Sequence, residues 1–131
     1  MAFELYQTMD GHMPPWEYLP AATIHPSMGL ALILDDGLLS VAAATDKPQF
    51  ICMREGDEDE VCNFGDMIPV IRVTDDIIFE TKNSASFAEI YIGDKVTLKD
   101  GLFVTATTTN GVATVVDADG YVKGSKVRVK F

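Results

Sequence analysis

The chain is poor in the residues that most enzymes and nucleic-acid binders depend on. Its 131 residues include two histidines, two cysteines, one tryptophan and 10 lysines and arginines against 20 aspartates and glutamates. A net charge of −10 argues against direct nucleic-acid binding, because phosphate contacts need clustered basic side chains. The aromatics are not interleaved with basic residues, as a single-strand stacking platform requires. The longest apolar runs, such as residues 30–34, are far too short to span a membrane. Residues 1–10 carry neither the basic start nor the apolar run of a secretory signal, so none is expected. Gly-rich phosphate loops and the Gly-x-Ser-x-Gly elbow are missing from the sequence.

The few candidates for chemistry read as structure. His12 and His25 lie in a proline-rich segment, with no nucleophile and orienting acid set beside them. Cys52 and Cys62 match no zinc spacing and read as buried free thiols. Residues 55–60 are mostly acidic but lack the ligand spacing of a calcium loop, so they read as a solvated turn. Asp35-Asp36 and Asp75-Asp76 flank turns, where aspartate is favoured for its own backbone contacts. No catalytic residue, metal or cofactor is expected, and the chain is not expected to be an enzyme.

What is present is apolar and strand-forming. Hydrophobic residues make up 47% of the chain, enough for a core of its own. Charge is uneven: residues 1–81 carry net −12 and residues 82–131 net +2. That asymmetry reads as solvated faces, or as a field that steers a partner or one copy toward another.

Residues 1–27 differ from the rest. Phe3, Tyr6, Trp16, Tyr18 and Leu19 are interrupted by Gly11, Pro14, Pro15, Pro20 and Pro26. Prolines at that density exclude helix and break sheet ladders, which predicts an extended arm. Such an arm lies across its own domain or reaches a neighbouring subunit. Phe3, Tyr6, Trp16, Tyr18 and Leu19 are its candidate interface residues, since aromatics are enriched at interface centres.

Residues 28–131 read as a β domain. Strands are predicted over 29–34, 38–44, 50–54, 67–73, 77–80, 94–98, 102–107, 112–116 and 126–131, with a short edge at 61–64. Pro69 implies that its strand is an edge or carries a bulge. Asp36-Gly37, Asp100-Gly101 and Asn110-Gly111 are hairpin signals. Residues 81–86 read as a polar loop, and 87–92 as strand or a brief helical turn. No window supports a long amphipathic helix. The fold class expected is all-β, a small sandwich or barrel with an extended N-terminal arm.

The domain repeats itself at an offset of 64 residues. Leu34-Asp35-Asp36-Gly37-Leu38 aligns with Leu98-Lys99-Asp100-Gly101-Leu102. After a slip of five, Gly65-Asp66-x-Ile68-x-Val70 aligns with Gly124-Ser125-x-Val127-x-Val129. Two similar units, 28–73 and 93–131, are therefore expected to pack on each other. The slip falls where residues 55–60 sit, which marks them as a surface insertion.

The phrase from Gly29 to Ala42 and its continuation through Pro48–Met53 to Gly65–Val70 resemble bacteriophage capsid cement, or head decoration, proteins. The later Asp94–Gly101 phrase and the ending from Gly124 to Phe131 have the same style. The resemblance implies a virion structural protein, made in the host cytoplasm, that binds the outside of an assembled shell. Its partner would be the major capsid protein, and its own state an oligomer, with a trimer favoured. No nucleic-acid or membrane partner is implied. Rival readings are a tail or head–tail joining module and a small carbohydrate- or ligand-binding barrel.

Overall fold

The computed structural model describes residues 2–8, 11–56 and 60–131, which form an all-β protein of two five-stranded antiparallel sheets. The first sheet has the order β2-β6-β5-β3-β4, from Trp16–Pro20, Met67–Arg72, Phe50–Cys52, Ala31–Asp35 and Leu38–Val41. The second has the order β1-β7-β12-β11-β8, from Glu4–Thr8, Ile77–Lys82, Lys126–Lys130, Ala113–Ala118 and Lys95–Val96. A small hairpin, β9 (Leu98–Lys99) with β10 (Phe103–Val104), completes it.

Turn chemistry sets the hairpins. Asp36 and Gly37 both have positive φ, at 50° and 79°, and they close β3 onto β4 through the pair Asp35↔Leu38. Asp100 and Gly101 repeat this at 57° and 68°, between β9 and β10. Two consecutive left-handed residues match the strand twist, and Asp-Gly supplies them at low cost.

The first sheet curls until the ends of its outer strands touch, and the second is tied from β7 to the small hairpin. A parallel bridge joins Ala21, just past β2, to Leu39 on β4, and another joins Asn83, just past β7, to Val104 on β10. The local bonds correspond in detail. Ala21 N–H donates to Asp66 O at 2.8 Å, as Asn83 N–H does to Ser125 O at 3.0 Å. Ala22 N–H donates to Leu39 O at 3.0 Å, as Ser84 N–H does to Val104 O at 2.7 Å. Leu30 N–H donates to Ser27 O, as Asp94 N–H does to Tyr91 O. These matches reach back to β2 and β7, so corresponding positions begin earlier than residues 28 and 93.

Burial follows the curl. Phe50 and Cys52 face a core inside the first sheet with Leu32, Leu39, Ile68 and Val70, while Ile51 between them faces the second sheet. A strand buried on both faces must be apolar throughout, which is why Phe50-Ile51-Cys52 has no polar alternation. Between the sheets, Phe131 packs on Phe3 at 5.2 Å and on Phe79 at 5.7 Å. The final strand alternates as its sequence predicts, with Val127 and Val129 buried and Lys126 exposed.

Several expectations are corrected. The prolines predict an N-terminal segment outside the ladders, yet it lies across its own domain, one of the two placements expected of it, as strands: β1 pairs with β7, and β2 pairs with β6 over Trp16↔Ile71 to Pro20↔Met67. Pro14 and Pro15 precede β2 and Pro20 is its last residue, so the edge ladder survives. Pro69 lies on a strand between two neighbours, not at an edge. Its nitrogen faces past the end of β5, where only its carbonyl is used, accepting from Met53 N–H at 2.9 Å. Residues 61–64 form no strand, and Thr81 and Lys82 extend β7 rather than opening a loop. Residues 87–92 form a turn in which Ile90 N–H donates to Phe87 O at 3.0 Å. Of the acidic run, Asp57, Glu58 and Asp59 lie outside the described residues.

Candidate functional site

The five residues expected at an interface part company. Phe3 is 1% exposed and belongs to the core between the sheets. Its backbone N–H donates to Gly29 O at 3.0 Å, and a Cβ on Gly29 would meet Phe3 backbone atoms at 2.8 Å. Phe3 is thus a structural anchor, because a ring that fills a core cannot also meet a partner. Leu19 packs on the core of the first sheet. Tyr6, Trp16 and Tyr18 remain about half exposed.

β2 and β6 place the exposed aromatics on one face. Directly opposed residues share a face, so Trp16, Tyr18 and Pro20 stand beside Ile71, Pro69 and Met67. Ile71 at one end is buried against the second sheet, whereas Trp16, Tyr18 and Met67 are open to solvent. The patch is therefore the uncovered continuation of a face that elsewhere makes core. Its strand is also an uncovered edge. The corresponding β7 is flanked by β1, but β2 has no outer neighbour among the described residues. Glu17 is tied to Arg72 by bonds of 2.9 and 3.1 Å, and the Arg72 guanidinium lies 5.0 Å from the Phe50 ring centre.

A second apolar cluster escapes sequence reading. Tyr91, Ile92, Tyr121 and Val122 are each at least two-thirds exposed. Tyr91, Ile92 and Tyr121 border one groove of about 510 Å³, floored by Phe87, Ile90 and Val115. Both loops are pinned: Tyr91 N–H donates to Asp94 Oδ2 at 2.9 Å, and Phe87 N–H to Tyr121 O at 2.7 Å. The available signal was an aromatic and a β-branched residue just ahead of a turn glycine, Gly93 and Gly124, both at positive φ.

Charged groups on the second sheet serve its own structure. The Arg128 side chain, 12% exposed, donates to Glu80 at 2.9 Å, Asp117 at 3.2 Å and Asp119, and stacks on Tyr6 at 4.8 Å. The hydrogen bond to Asp119 leads in raising the Arg128 pKa, with Glu80 adding to it against partial burial. This network clamps β1, β7, β11 and β12 together. Burial pushes the Cys52 thiol pKa up, which disfavours the reactive thiolate. Cys62 donates to Ala22 O and Ile24 O, and both cysteines are free and buried. His12 and His25 are exposed and stand on separate segments. Among the described residues no group of His, Cys, Asp or Glu could hold a metal, and no helix is long and apolar enough to cross a membrane.

Comparison with protein-family models, with curated proteins and with solved structures finds no match to this chain.

Proposed function

We propose that the protein is a virion structural module that binds the outside of an assembled phage capsid by protein–protein contact. The observation that supports this reading is the half-exposed aromatic face of Trp16, Tyr18 and Met67, held on a hydrogen-bonded edge strand. Large rings fixed on a strand give contact area with little entropy left to lose on docking, which is how interface anchors act. The resemblance in the strand-turn phrases of residues 29–42 and 65–70 names the partner as the major capsid protein. A trimer is the oligomer that resemblance favours.

The test is co-sedimentation of the purified chain with assembled shells of the phage that encodes it. The double variant Trp16→Ser, Tyr18→Ser should stay folded and lose shell binding by about a thousandfold, since two anchors of this kind each contribute roughly 2 kcal/mol. Undiminished binding by that variant would remove the aromatic face from the reading, and no binding by the parent chain would remove the capsid.

A further inference from the structure

The two sheets differ most at one corner. In the first sheet the chain passes Pro20, Ala21 and Ala22 beside Asp35 and Phe64. The matching hydrogen bonds place Lys82, Asn83, Ser84, Lys99 and Lys123 at the corresponding positions of the second. Three lysines stand where the same backbone elsewhere carries proline, aspartate and phenylalanine. The fold does not need them there.

Those lysines surround one cavity. Lys82, Lys99 and Lys123 line a pocket of about 270 Å³ with Asn83, Ser84 and Phe103. All three are exposed, and none forms an ion pair with a described residue. Lys82 also stands directly opposite Lys126 across β7 and β12, a like-charge pairing that disfavours the sheet. Lys126 is relieved by Glu80 at 3.7 Å, and Lys82 has no such relief. In a chain of net charge −10, uncompensated positive charge gathered at one corner is charge kept for something outside the chain. Asn83 marks the same place. It is 2% exposed, and neither Nδ2 nor Oδ1 has a hydrogen-bond partner among the described residues.

We propose that this corner docks an acidic segment of a partner protein, with the partner's side-chain carboxylates on Lys82, Lys99 and Lys123 and an apolar side chain over Phe103. The lining favours carboxylates on a peptide over a phosphate. Lysine ammoniums are point charges that take either anion, but no helix N-terminus among the described residues faces the site, and Phe103 offers an apolar contact that a bare phosphate cannot use. The pocket is the size of one side chain rather than of a nucleotide, and its floor is an aromatic ring. The inference rests on the adhesive reading above and adds to it a second contact of opposite character to the Trp16–Tyr18 face.

The experiment is a titration of the isotope-labelled full chain with a short peptide of alternating glutamate and leucine, followed by amide chemical shifts. Saturable shifts should centre on residues 82–84, 99 and 123–124. The triple variant Lys82→Gln, Lys99→Gln, Lys123→Gln should weaken binding at least about tenfold and flatten its salt dependence. Its thermal melt should be no lower than that of the parent, because these exposed side chains hold nothing in the fold and Lys82 opposes Lys126. Four outcomes would overturn the proposal: no saturable shifts, shifts elsewhere, equal binding of the glutamine-for-glutamate peptide, or tighter binding of inorganic phosphate at the same amides. Shell binding that survives in the lysine variant but not in Trp16→Ser, Tyr18→Ser would sink this inference alone and leave the capsid reading standing. Loss of shell binding by both sets of variants supports two contacts on one partner.

Discussion

The corner that carries Ala21 in the first sheet carries Asn83 in the second, and the backbone around them makes the same hydrogen bonds. Alanine fits there with nothing left over, being fully buried among Ile24, Leu39 and Ile68. Asparagine buries an amide that finds no partner. One molecule thus contains its own control. What the two sheets share is what the fold requires, namely the curl, the Asp-Gly hairpins and the bridges at Ala21 and Asn83. What they do not share is free to answer to something else, and the differences fall at the lysine corner, at the covered or uncovered outer edge, and in the treatment of charge.

The edge gives the largest contrast. β1 covers β7, whereas nothing described covers β2. If Phe3, just ahead of β1, anchors that strand as its burial implies, Phe3→Ala should cost about 4 kcal/mol, the usual loss for a fully buried ring that leaves a cavity. Urea unfolding reads this directly. A midpoint within error of the parent would mean that the N-terminal strand is a detachable strap after all, and would make the two outer edges alike. Gly29→Ala should act in the same direction, since its Cβ would strike the Phe3 backbone at 2.8 Å and its φ of +87° suits glycine alone.

Charge gives the next contrast. Arg128 is nearly enclosed by Glu80, Asp117, Asp119 and the Tyr6 ring, whereas Arg72 meets Glu17 in the open. Arg128→Met should destabilise by about 2 kcal/mol, because it leaves the largely buried Glu80 with only the looser Lys126 contact at 3.7 Å. Arg72→Met should leave stability almost unchanged, as loss of an exposed pair does. Equal effects in thermal melts would show that the burial difference between the two sheets carries no energetic meaning.

The corner itself predicts a gain. Asn83→Ala copies the first sheet into the second and removes an unpaired buried amide, which should stabilise the chain by about 1 kcal/mol. Destabilisation would show that the amide serves packing, and the comparison with Ala21 would then fail at its central point.

How much of this was legible in the sequence depends on which force set the element. Asp36-Gly37 and Asp100-Gly101 announce their hairpins because few other residues accept two left-handed conformations in a row. Val127, Val129 and Phe131 announce the final strand by strict alternation. β1 and β2 were hidden because local proline signals outweigh a five-residue ladder whose stability comes from distant partners, Ile77–Lys82 and Met67–Arg72. Phe3 read as adhesive for the same reason: an aromatic near prolines looks alike in sequence whether it meets Phe131 or a partner. Pro69 misled because the rule about edges concerns the missing N–H, and here that N–H is missing past the end of β5. Lys82, Lys99 and Lys123 are far apart in sequence, so only the curl of the second sheet could bring them to one pocket.

The smallest expected effect concerns pH. The Arg72 guanidinium donates to the Glu17 carboxylate at 2.9 and 3.1 Å, and this hydrogen bonding leads in holding the Glu17 pKa below its ordinary value. A carboxyl whose pKa falls on folding binds fewer protons in the native state over that interval. Its contribution is present above the ordinary carboxylate range and is lost as pH drops through the lowered folded value. Glu17→Gln should therefore lie slightly below the parent in unfolding midpoint at neutral pH and converge on it in acid. High salt should narrow the gap at neutral pH, because the pair is exposed and screened. A gap that stays constant into acid would mean that Glu17 acts through packing on β6 and not through charge. Convergence would place the open β2 edge in the opposite regime from the Arg128 clamp. That edge would then be held by its ladder to β6, with its ion pair free to dissolve or to exchange partners when another protein approaches Trp16 and Tyr18.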